Sequence, residues 1–157
     1  MKAFVTGGTG FIGGAVVRKL VEAGHQVRVL VRPKADTRQI DGLPVERVVG
    51  SLEDVESLRR GMEGCDWVFH LAALYSFWGY RWEDFYRVNV EGTRRVLEVA
   101  RDMGIQRIVH TSSIAALGVN PDRTPANEDT PTSLEDKIGF YQRSKFLGQQ
   151  VALEFAR

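Results

Sequence analysis

The chain has 157 residues, the length of one ordinary domain, and 43% of them are hydrophobic and 26% charged, a composition that excludes a disordered chain. Twenty-one basic against twenty acidic residues leave a net charge of +1, which gives no reason to expect nucleic acid or an anionic membrane as a partner. No apolar run reaches about 18 residues, the length that spans a bilayer, and a strand-like run begins at Lys2, so we expect neither a membrane span nor a signal segment. The single cysteine, Cys65, is typical of a reducing compartment, and we expect the protein in the cytoplasm.

Short apolar runs alternate with amphipathic segments along the chain. Five runs are rich in β-branched residues and predict strands buried on both faces: Lys2–Thr6, Val27–Val31, Val45–Val49, Trp67–Ala72 and Arg107–Thr111. Four patterns predict helices: Phe11–Ala23, Glu53–Gly61, Asp84–Met103 and Ile138–Arg157. Strands that alternate with helices form βαβ units, so we expect one α/β domain over residues 1–157 with a parallel sheet.

The first strand runs directly into a glycine-rich turn, T-G-G-T-G-F-I-G at residues 6–13, and a helical pattern follows. Gly7 would permit the tight turn, Gly10 would let phosphates approach the backbone, and Gly13 would let helix and strand pack closely. A helix that begins beside such a turn offers its first N–H groups to a pyrophosphate. The strand–turn–helix context therefore predicts a dinucleotide site.

Arg32 directly follows the second predicted strand, at the position that distinguishes the two nicotinamide cofactors. An acidic residue there binds the ribose hydroxyls, whereas an arginine accommodates a 2′-phosphate. No carboxylate precedes Asp36 in this stretch, so the sequence favours NADP over NAD. The alternative is that Arg32 is an ordinary exposed cation at a strand end.

A phenol and an ammonium lie four residues apart, at Tyr141 and Lys145, on one face of the last predicted helix. A nearby cation lowers the pKa of a tyrosine from its usual value of about 10, which would make the phenol a usable acid–base group. The run Thr111–Ser113 ends the fifth strand, where ligands of open α/β sheets bind. A serine hydroxyl there could hydrogen-bond a substrate carbonyl or hydroxyl.

The chain resembles the extended short-chain dehydrogenase/reductase superfamily, in its branch of NAD-dependent epimerases and dehydratases. Five motifs in order carry the resemblance: T-G-G-T-G-F-I-G at Thr6–Gly13, H-L-A-A at His70–Ala73, V-N-V-E-G-T at Val88–Thr93, T-S-S at Thr111–Ser113 and Y-Q-R-S-K at Tyr141–Lys145. More closely, the runs Val31–Pro33, Ser113–Gly118 and Arg143–Leu147 resemble dihydroflavonol-4-reductase-like proteins and sugar epimerases associated with hopanoid pathways. The resemblance implies a Rossmann-type, doubly wound parallel sheet with strand order 3-2-1-4-5.

The resemblance also implies a role for each catalytic residue. Tyr141 would be the general acid/base, and Lys145 would bind the nicotinamide ribose and lower the pKa of the phenol. Ser113 would polarise the substrate oxygen, and Ser112 is the neighbour most easily confused with it. Asn89 would hold a water of the proton relay; the alternative is a mid-helix polar residue bonded to its own backbone.

The cofactor contacts that the resemblance implies come from the glycine-rich turn, the ends of three strands and the last helix. They are Gly7, Thr9, Gly10, Phe11, Ile12, Gly13, Arg32, Ser51, Leu52, Ala72, Ala73, Tyr141 and Lys145. In two places the chain departs from the family. Ser51 replaces the acidic residue that contacts adenine, and Ile114–Ala115 replaces the Asp-Glu pair of dehydratases, so we do not expect dehydration. No metal site is predicted.

The implied activity is NAD(P)-dependent hydride transfer at a carbinol or carbonyl carbon of a small molecule, either a hydroxy-ketone or a nucleotide sugar. The enzyme would be a dihydroflavonol-4-reductase-like reductase or an epimerase; the alternative is a dinucleotide-binding module without catalysis. Family members are about twice this length, so we expect an N-terminal half that ends after the catalytic helix and can be inactive alone. A half-length relative is the other possibility. Family members dimerise through the helices matching residues 84–103 and 138–157, which predicts a homodimer.

Two stretches are predicted to be irregular, Tyr75–Trp82 and Val119–Lys137. The first is dense in aromatic residues and lies just past the fourth strand. It is either a wall for the substrate or a hydrophobic flap packed on the domain, and the sequence does not favour one over the other.

Overall fold

The structure, a computed structural model, describes residues 1–156; Arg157, the predicted end of the last helix, lies outside them. The described chain forms two compact units. The first contains Met1–Ala73 and Arg95–Thr111, and the second contains Leu74–Arg94 and the residues from Ser112 onward. No helix in the described part of the chain combines the length and the apolar character that a membrane crossing requires.

The first unit contains one parallel sheet of five strands in the order β3-β2-β1-β4-β5, which confirms the predicted Rossmann-type order. The strands are β1 (Lys2–Thr6), β2 (Gln26–Val31), β3 (Val45–Val49), β4 (Trp67–His70) and β5 (Arg107–His110). At the centre, Val5 of β1 pairs with Val29 of β2 and Phe69 of β4. Val5 and Val29 are fully buried, as expected for a strand covered on both faces.

Two helices of the first unit follow the predicted pattern closely. Helix α1 (Phe11–Glu22) packs against β1 and β2, and α2 (Val55–Met62) packs against β2 and β3. The Asp54 carboxylate accepts the Ser57 N–H at 3.1 Å and so caps the start of α2. After α1, Gly24 has a φ of +79°, the left-handed conformation in which glycine ends helices.

The predicted helix Asp84–Met103 contains an irregular turn. Helix α3 (Trp82–Phe85) passes into a π-helical segment (Tyr86–Glu91) and then into α4 (Gly92–Asp102). A π-helical turn carries one residue more than an α-helical turn, and such turns are frequent at functional sites. Asn89 lies within this segment.

The second unit also contains a single 3₁₀ turn (Ile114–Ala116) and the last helix, α5 (Phe140–Phe155). The 3₁₀ turn and the π-helical segment both pack against α5. Gly148 of α5 is buried, and a Cβ at this position would lie 2.5 Å from the Asn89 carbonyl oxygen. The π-helical segment therefore approaches α5 so closely that only glycine fits at residue 148.

Candidate active site

The turn between β1 and α1 is built around glycines that cannot be replaced without a backbone shift. Gly7 has a φ of +74°, and a Cβ there would lie 2.6 Å from the Ala72 nitrogen. A Cβ on Gly13 would lie 2.0 Å from the Gly7 carbonyl oxygen. These contacts fold the turn tightly against the residues that follow β4, and they give the physical reason for the glycines at 7 and 13.

The first turn of α1 offers unpaired backbone N–H groups to a ligand. Gly10 caps the helix without a side-chain hydrogen bond, and the first turn contains no acidic residue. Phe11 is 86% exposed and Ile12 is 60% exposed. A Cβ on Gly10 would meet only the Gly7 oxygen, at 3.3 Å, so the surface above the turn is open. Open glycine backbone at an uncapped helix start fits the pyrophosphate of a dinucleotide.

Arg32 is exposed immediately after β2, and no hydrogen bond or ion pair of its side chain is found among the described residues. The two carboxylates of the following loop are held by other cations. Arg38 hydrogen-bonds Asp36 and lowers the pKa of that carboxyl to about 2, and Arg47 contacts Asp41 at 2.9 Å. The Arg32 guanidinium thus remains available to an anion.

The end of β4 is fixed by a buried threonine. The Thr6 hydroxyl is hydrogen-bonded to His70 Nδ1 at 2.7 Å and accepts the Ala72 N–H at 3.3 Å. His70 is buried at the end of β4. The predicted cofactor contacts at 72–73 therefore lie on backbone that is held in place by the neighbouring strand.

The predicted adenine contact after β3 is also locally ordered. The Ser51 hydroxyl accepts the N–H of Glu53 at 3.2 Å, and the Ser57 hydroxyl bonds the backbone of Ser51. Leu52 is buried. Ser51 is half-buried, so of the two predicted contacts, Ser51 and Leu52, it is Ser51 whose side chain a ligand could reach.

The second unit places Tyr141 and Lys145 one turn apart on α5. Tyr141 is half-buried, whereas Lys145 is 6% exposed. Burial lowers the pKa of the Lys145 ammonium from its usual value of 10.5 to about 8, because desolvation disfavours the charged form. The group is still mostly protonated at neutral pH, so a positive charge lies one turn from Tyr141.

The two neighbouring serines after β5 differ in their hydrogen bonds. The Ser112 hydroxyl is bonded to the side-chain oxygen of Gln149 on α5. The Ser113 oxygen accepts the Ala115 N–H at 3.1 Å and caps the 3₁₀ turn, which leaves its hydroxyl hydrogen available to donate. Of the two, Ser113 is the better donor to a substrate oxygen.

Asn89 is 3% exposed, and its side chain joins two segments of the second unit. Leu74 donates its N–H to Asn89 Oδ1 at 2.7 Å and accepts a hydrogen bond from Nδ2 at 3.0 Å. The same Nδ2 donates to Ser144 Oγ at 2.9 Å, and the Ser144 hydroxyl donates to the Tyr141 carbonyl at 2.8 Å. The side chain therefore does not bond its own helix backbone, as one alternative held.

Ser144 is a residue of this site that the sequence reasoning missed. It is fully buried, although it follows an arginine in an amphipathic helix where a solvent-facing serine would be unremarkable. The one available signal was its position directly before Lys145 in the Y-Q-R-S-K motif. Its role is to connect Asn89 to the turn of α5 that carries Tyr141.

The aromatic segment after β4 is divided into an exposed part and a packed part. Tyr75 meets the ring of Tyr141 edge to face, with centroids 4.9 Å apart, and meets Phe77 at 5.2 Å. Farther along, Trp82 packs on Phe140 with centroids 6.0 Å apart. Thus one end of this segment contacts the predicted acid–base residue, and the other end is part of the packing of α3 against α5.

The predicted site residues fall into two sets, one in each unit. The second unit brings the four catalytic candidates together, because the π-helical segment and the 3₁₀ turn both pack on α5. The cofactor candidates other than Tyr141 and Lys145 lie in the first unit, at the glycine-rich turn and at the ends of β2, β3 and β4.

Residues 3–157 match the NAD dependent epimerase/dehydratase family. A protein of Synechocystis sp. provisionally named dihydroflavonol 4-reductase is 47% identical over 154 residues, which cover 98% of this chain and 45% of that protein. A protein of Stigmatella aurantiaca named 4-hydroxy-2-methyl-3-oxo-4-farnesyl-3,4-dihydroquinoline-1-oxide ketoreductase is 39% identical, over 98% of this chain and 46% of its own length.

Solved structures agree with this match. The crystal structure of gox2253 has a TM-score of 0.93 and 42% identity, and the match covers 99% of this chain and 47% of that one. The Thermus thermophilus UDP-glucose 4-epimerase in complex with NAD has a TM-score of 0.85 and 28% identity, over 99% of this chain and 51% of that one. The chain spans about half the length of the relatives it matches.

Proposed function

The chain belongs to the NAD dependent epimerase/dehydratase family, and on that premise we propose that its protein is an NAD(P)-dependent oxidoreductase acting at a carbinol or carbonyl carbon. The observation that carries the proposal is the arrangement on α5. Tyr141 and the buried Lys145 lie one turn apart, and the 3₁₀ turn that Ser113 caps packs on the same helix. A module that only binds a dinucleotide has no use for such a set.

Each residue of the set has a defined task. The Ser113 hydroxyl donates to the substrate oxygen and polarises the carbonyl. The Lys145 ammonium stabilises the phenolate form of Tyr141. In the direction of reduction, the Tyr141 hydroxyl gives its proton to the carbonyl oxygen, which becomes an alcohol. A bound nicotinamide would supply the hydride for the carbonyl carbon. The backbone of the glycine-rich turn and the start of α1 would hold the pyrophosphate.

We propose reduction rather than epimerisation as the net reaction. Two relatives carry names of reductases, at 47% and 39% identity, whereas the UDP-glucose 4-epimerase is 28% identical. A reductase exchanges its cofactor in each cycle, but an epimerase retains it and returns the hydride to the other face. One equivalent of NAD(P)H consumed per product formed would support reduction, and turnover without net cofactor consumption would refute it.

The direct test of the function is Tyr141→Phe, with Tyr86→Phe as the matched control on the π-helical segment. Both are made in the protein as its gene encodes it. We expect Tyr141→Phe to lower kcat by roughly 10²–10⁴-fold, the usual contribution of general acid–base catalysis. Tyr86→Phe should leave kcat unchanged, and neither variant should change the affinity for the cofactor. Undiminished turnover in Tyr141→Phe would refute the assignment, and cofactor binding without turnover in the wild type would favour a non-catalytic module.

We also propose NADP(H) as the preferred cofactor. The support is an exposed Arg32 after β2, together with loop carboxylates that are held by Arg38 and Arg47. Charge-assisted hydrogen bonds from Arg32 to a 2′-phosphate are worth about 1.5–3 kcal/mol, or roughly ten- to hundredfold in affinity. Calorimetric titration should show that Arg32→Ala removes the preference, while Arg101→Ala, at the end of α4, preserves it. Equal affinity of the wild type for both cofactors would show that Arg32 is only a surface cation.

A homodimer through the helices near residues 84–103 and 138–157 is proposed on the resemblance. Light scattering of the protein as its gene encodes it should give twice the mass of one chain at micromolar concentration. A monomer mass under these conditions would contradict the proposal.

A further inference from the structure

Gln149 belongs to a row of three side chains along α5. Tyr141, Lys145 and Gln149 follow one another at intervals of four residues, and residues four apart lie on one face of a helix, one turn after the other. Gln149 is half-buried, like Tyr141, so neighbouring residues cover much of its surface. The row therefore extends the proposed acid–base pair by one turn, with a neutral polar side chain.

The Gln149 side chain holds the residue that precedes Ser113. The Ser112 hydroxyl donates to Gln149 Oε1, a hydrogen bond between residues 37 positions apart in the chain. Both residues are half-buried, so water competes less for this hydrogen bond than for one on the open surface. Ser112 is thus attached to the same helix that carries Tyr141.

Ser113 is held on its other side by the 3₁₀ turn. Its Oγ accepts the Ala115 N–H at 3.1 Å, and its carbonyl oxygen accepts the Ala116 N–H at 2.9 Å. Ala116 is 1% exposed, and the turn packs against α5. Ser113 therefore lies between two attachments to α5. The buried turn follows it, and the hydrogen bond from Ser112 to Gln149 precedes it.

These two attachments set the place of the Ser113 hydroxyl relative to the Tyr141 phenol. In the proposed reaction both hydroxyls act on one substrate oxygen, so the distance between them has to fit the reacting geometry. A displacement of about 1 Å can lower a rate roughly 100-fold, even when its cause lies far from the reacting atoms. If the contact with Gln149 were lost, the turn would be the remaining attachment of the two.

We propose that Gln149 is a positioning residue of the proposed reaction, and that it acts through Ser112 to hold the Ser113 hydroxyl at the substrate oxygen. The inference rests on the proposed function, because it concerns how the same catalytic set is aligned. Ser112 is then the link between Gln149 and Ser113, rather than a second donor to the substrate. The row along α5 transfers the proton at Tyr141, supplies the charge at Lys145 and aligns Ser113 through Gln149.

The test is a double-mutant cycle in the protein as its gene encodes it. Gln149→Met removes the acceptor but keeps an unbranched side chain of similar length, and Ser112→Ala removes the donor. The two changes are made singly and together. Gln149→Glu, which keeps an acceptor oxygen, is the conservative variant. Gln150→Met is the matched control, because no hydrogen bond of the Gln150 side chain is found among residues 1–156.

Turnover is measured as NADPH-dependent reduction of 2,3-butanedione, a small reactive diketone. We expect Gln149→Met and Ser112→Ala each to lower kcat about tenfold or more and to change KM less than about twofold. The double variant should be no slower than the slower single variant, because both changes break one contact. Gln149→Glu should keep kcat within about twofold of the wild type at neutral pH, where Lys145 is already mostly protonated. Gln150→Met should leave kcat unchanged.

Two further measurements separate displacement of Ser113 from loss of folded protein. Calorimetric titration with NADP⁺ should give the same stoichiometry and affinity in every variant. Without cofactor, hydrogen exchange at the N–H groups of Ala115 and Ala116 should be about tenfold faster in Gln149→Met and Ser112→Ala than in the wild type and the control, because the turn has lost one of its supports.

A wild-type kcat in Gln149→Met, additive losses in the double variant or unchanged exchange in the turn would each overturn the inference alone. A loss in Ser112→Ala that Gln149→Met does not share would make Ser112 itself the substrate donor and would also overturn it. A Gln149→Glu variant as slow as Gln149→Met would show that Gln149 acts by packing. Undiminished turnover in Tyr141→Phe would instead refute the proposed function, and a wild type that binds NADP⁺ without reducing the diketone would overturn both.

Discussion

Replacing Asn89 with alanine should lower the free energy of unfolding more than the small change in side-chain volume suggests. The side chain is 3% exposed and makes three hydrogen bonds, two to Leu74 and one to Ser144, with lengths of 2.7 to 3.0 Å. Alanine leaves the N–H and carbonyl of the half-buried Leu74, and the oxygen of the buried Ser144, without these partners. At about 1 kcal/mol net for each bond, the expected loss in free energy of unfolding is about 3 kcal/mol, and bonds within one network need not add linearly.

Asn120→Ala is the matched control, because the Asn120 Nδ2 lies within hydrogen-bonding distance of three acceptors on Thr124 and Pro125, but in an exposed loop. Water replaces exposed partners, so this change should cost less than about 1 kcal/mol. Urea denaturation followed by tryptophan fluorescence measures both values. Turnover should also fall in Asn89→Ala, because Ser144 connects Asn89 to the Tyr141 backbone. If the two variants lose the same stability, the buried network does not hold the second unit as described.

Two further predictions concern the turn and the buried ammonium. Gly10→Ala should keep the fold, since its Cβ would meet only the Gly7 oxygen at 3.3 Å, but it should weaken NADP⁺ binding about tenfold or more because the methyl group covers the backbone that approaches the phosphates. Gly13→Ala, whose Cβ would lie 2.0 Å from the same oxygen, should instead lower the Tm sharply. A lower Tm in Gly10→Ala and weaker NADP⁺ binding alone in Gly13→Ala would contradict the assigned roles. Burial lowers the pKa of Lys145 to about 8, so the cation is present below pH 8 and lost above it. We expect kcat/KM to fall as the pH rises through about 8 and the fall to move to higher pH in Lys145→Arg; a pH profile that is the same in both proteins would show that this ammonium does not assist proton transfer.

The strands were predictable because short β-branched runs leave a direct mark on the sequence, but the expectation that all five are buried on both faces is wrong for β3 and β5, which are edge strands with exposed residues. The bounds of β1 and β3 are the same in the prediction and the structure, and the other strands differ at their ends by one or two residues. The glycine-rich turn was predictable for a related reason, since backbone crowding at Gly7 and Gly13 admits no other residue. The strand order came from the resemblance, because apolar periodicity says nothing about which strands are neighbours.

What the sequence could not predict depends on contacts between distant residues. The π-helical turn at Tyr86–Glu91 adds one residue to one turn, a change too small to alter the apolar period. The partners of Asn89 are 15 and 55 positions away in the chain. Likewise, Ser112 and Ser113 are the same residue type, and the structure distinguishes them by their hydrogen bonds, from Ser112 to Gln149 on α5 and from the Ala115 N–H to Ser113. The extent of one domain over residues 1–157 and the roles of the site residues remain predictions.

The contacts of Asn89 with α5 oppose a slip of that helix along its axis. Its amide bonds Ser144, while its carbonyl oxygen lies where a Cβ on Gly148 would be 2.5 Å away. Residues 144 and 148 are one turn apart, and a slip of α5 by that turn, about 5.4 Å, would bring the Ser144 side chain against the carbonyl, where it has no room. A slip of α5 by this turn is therefore opposed, and the position of the Tyr141 hydroxyl along the helix axis depends on a glycine two turns farther along the helix.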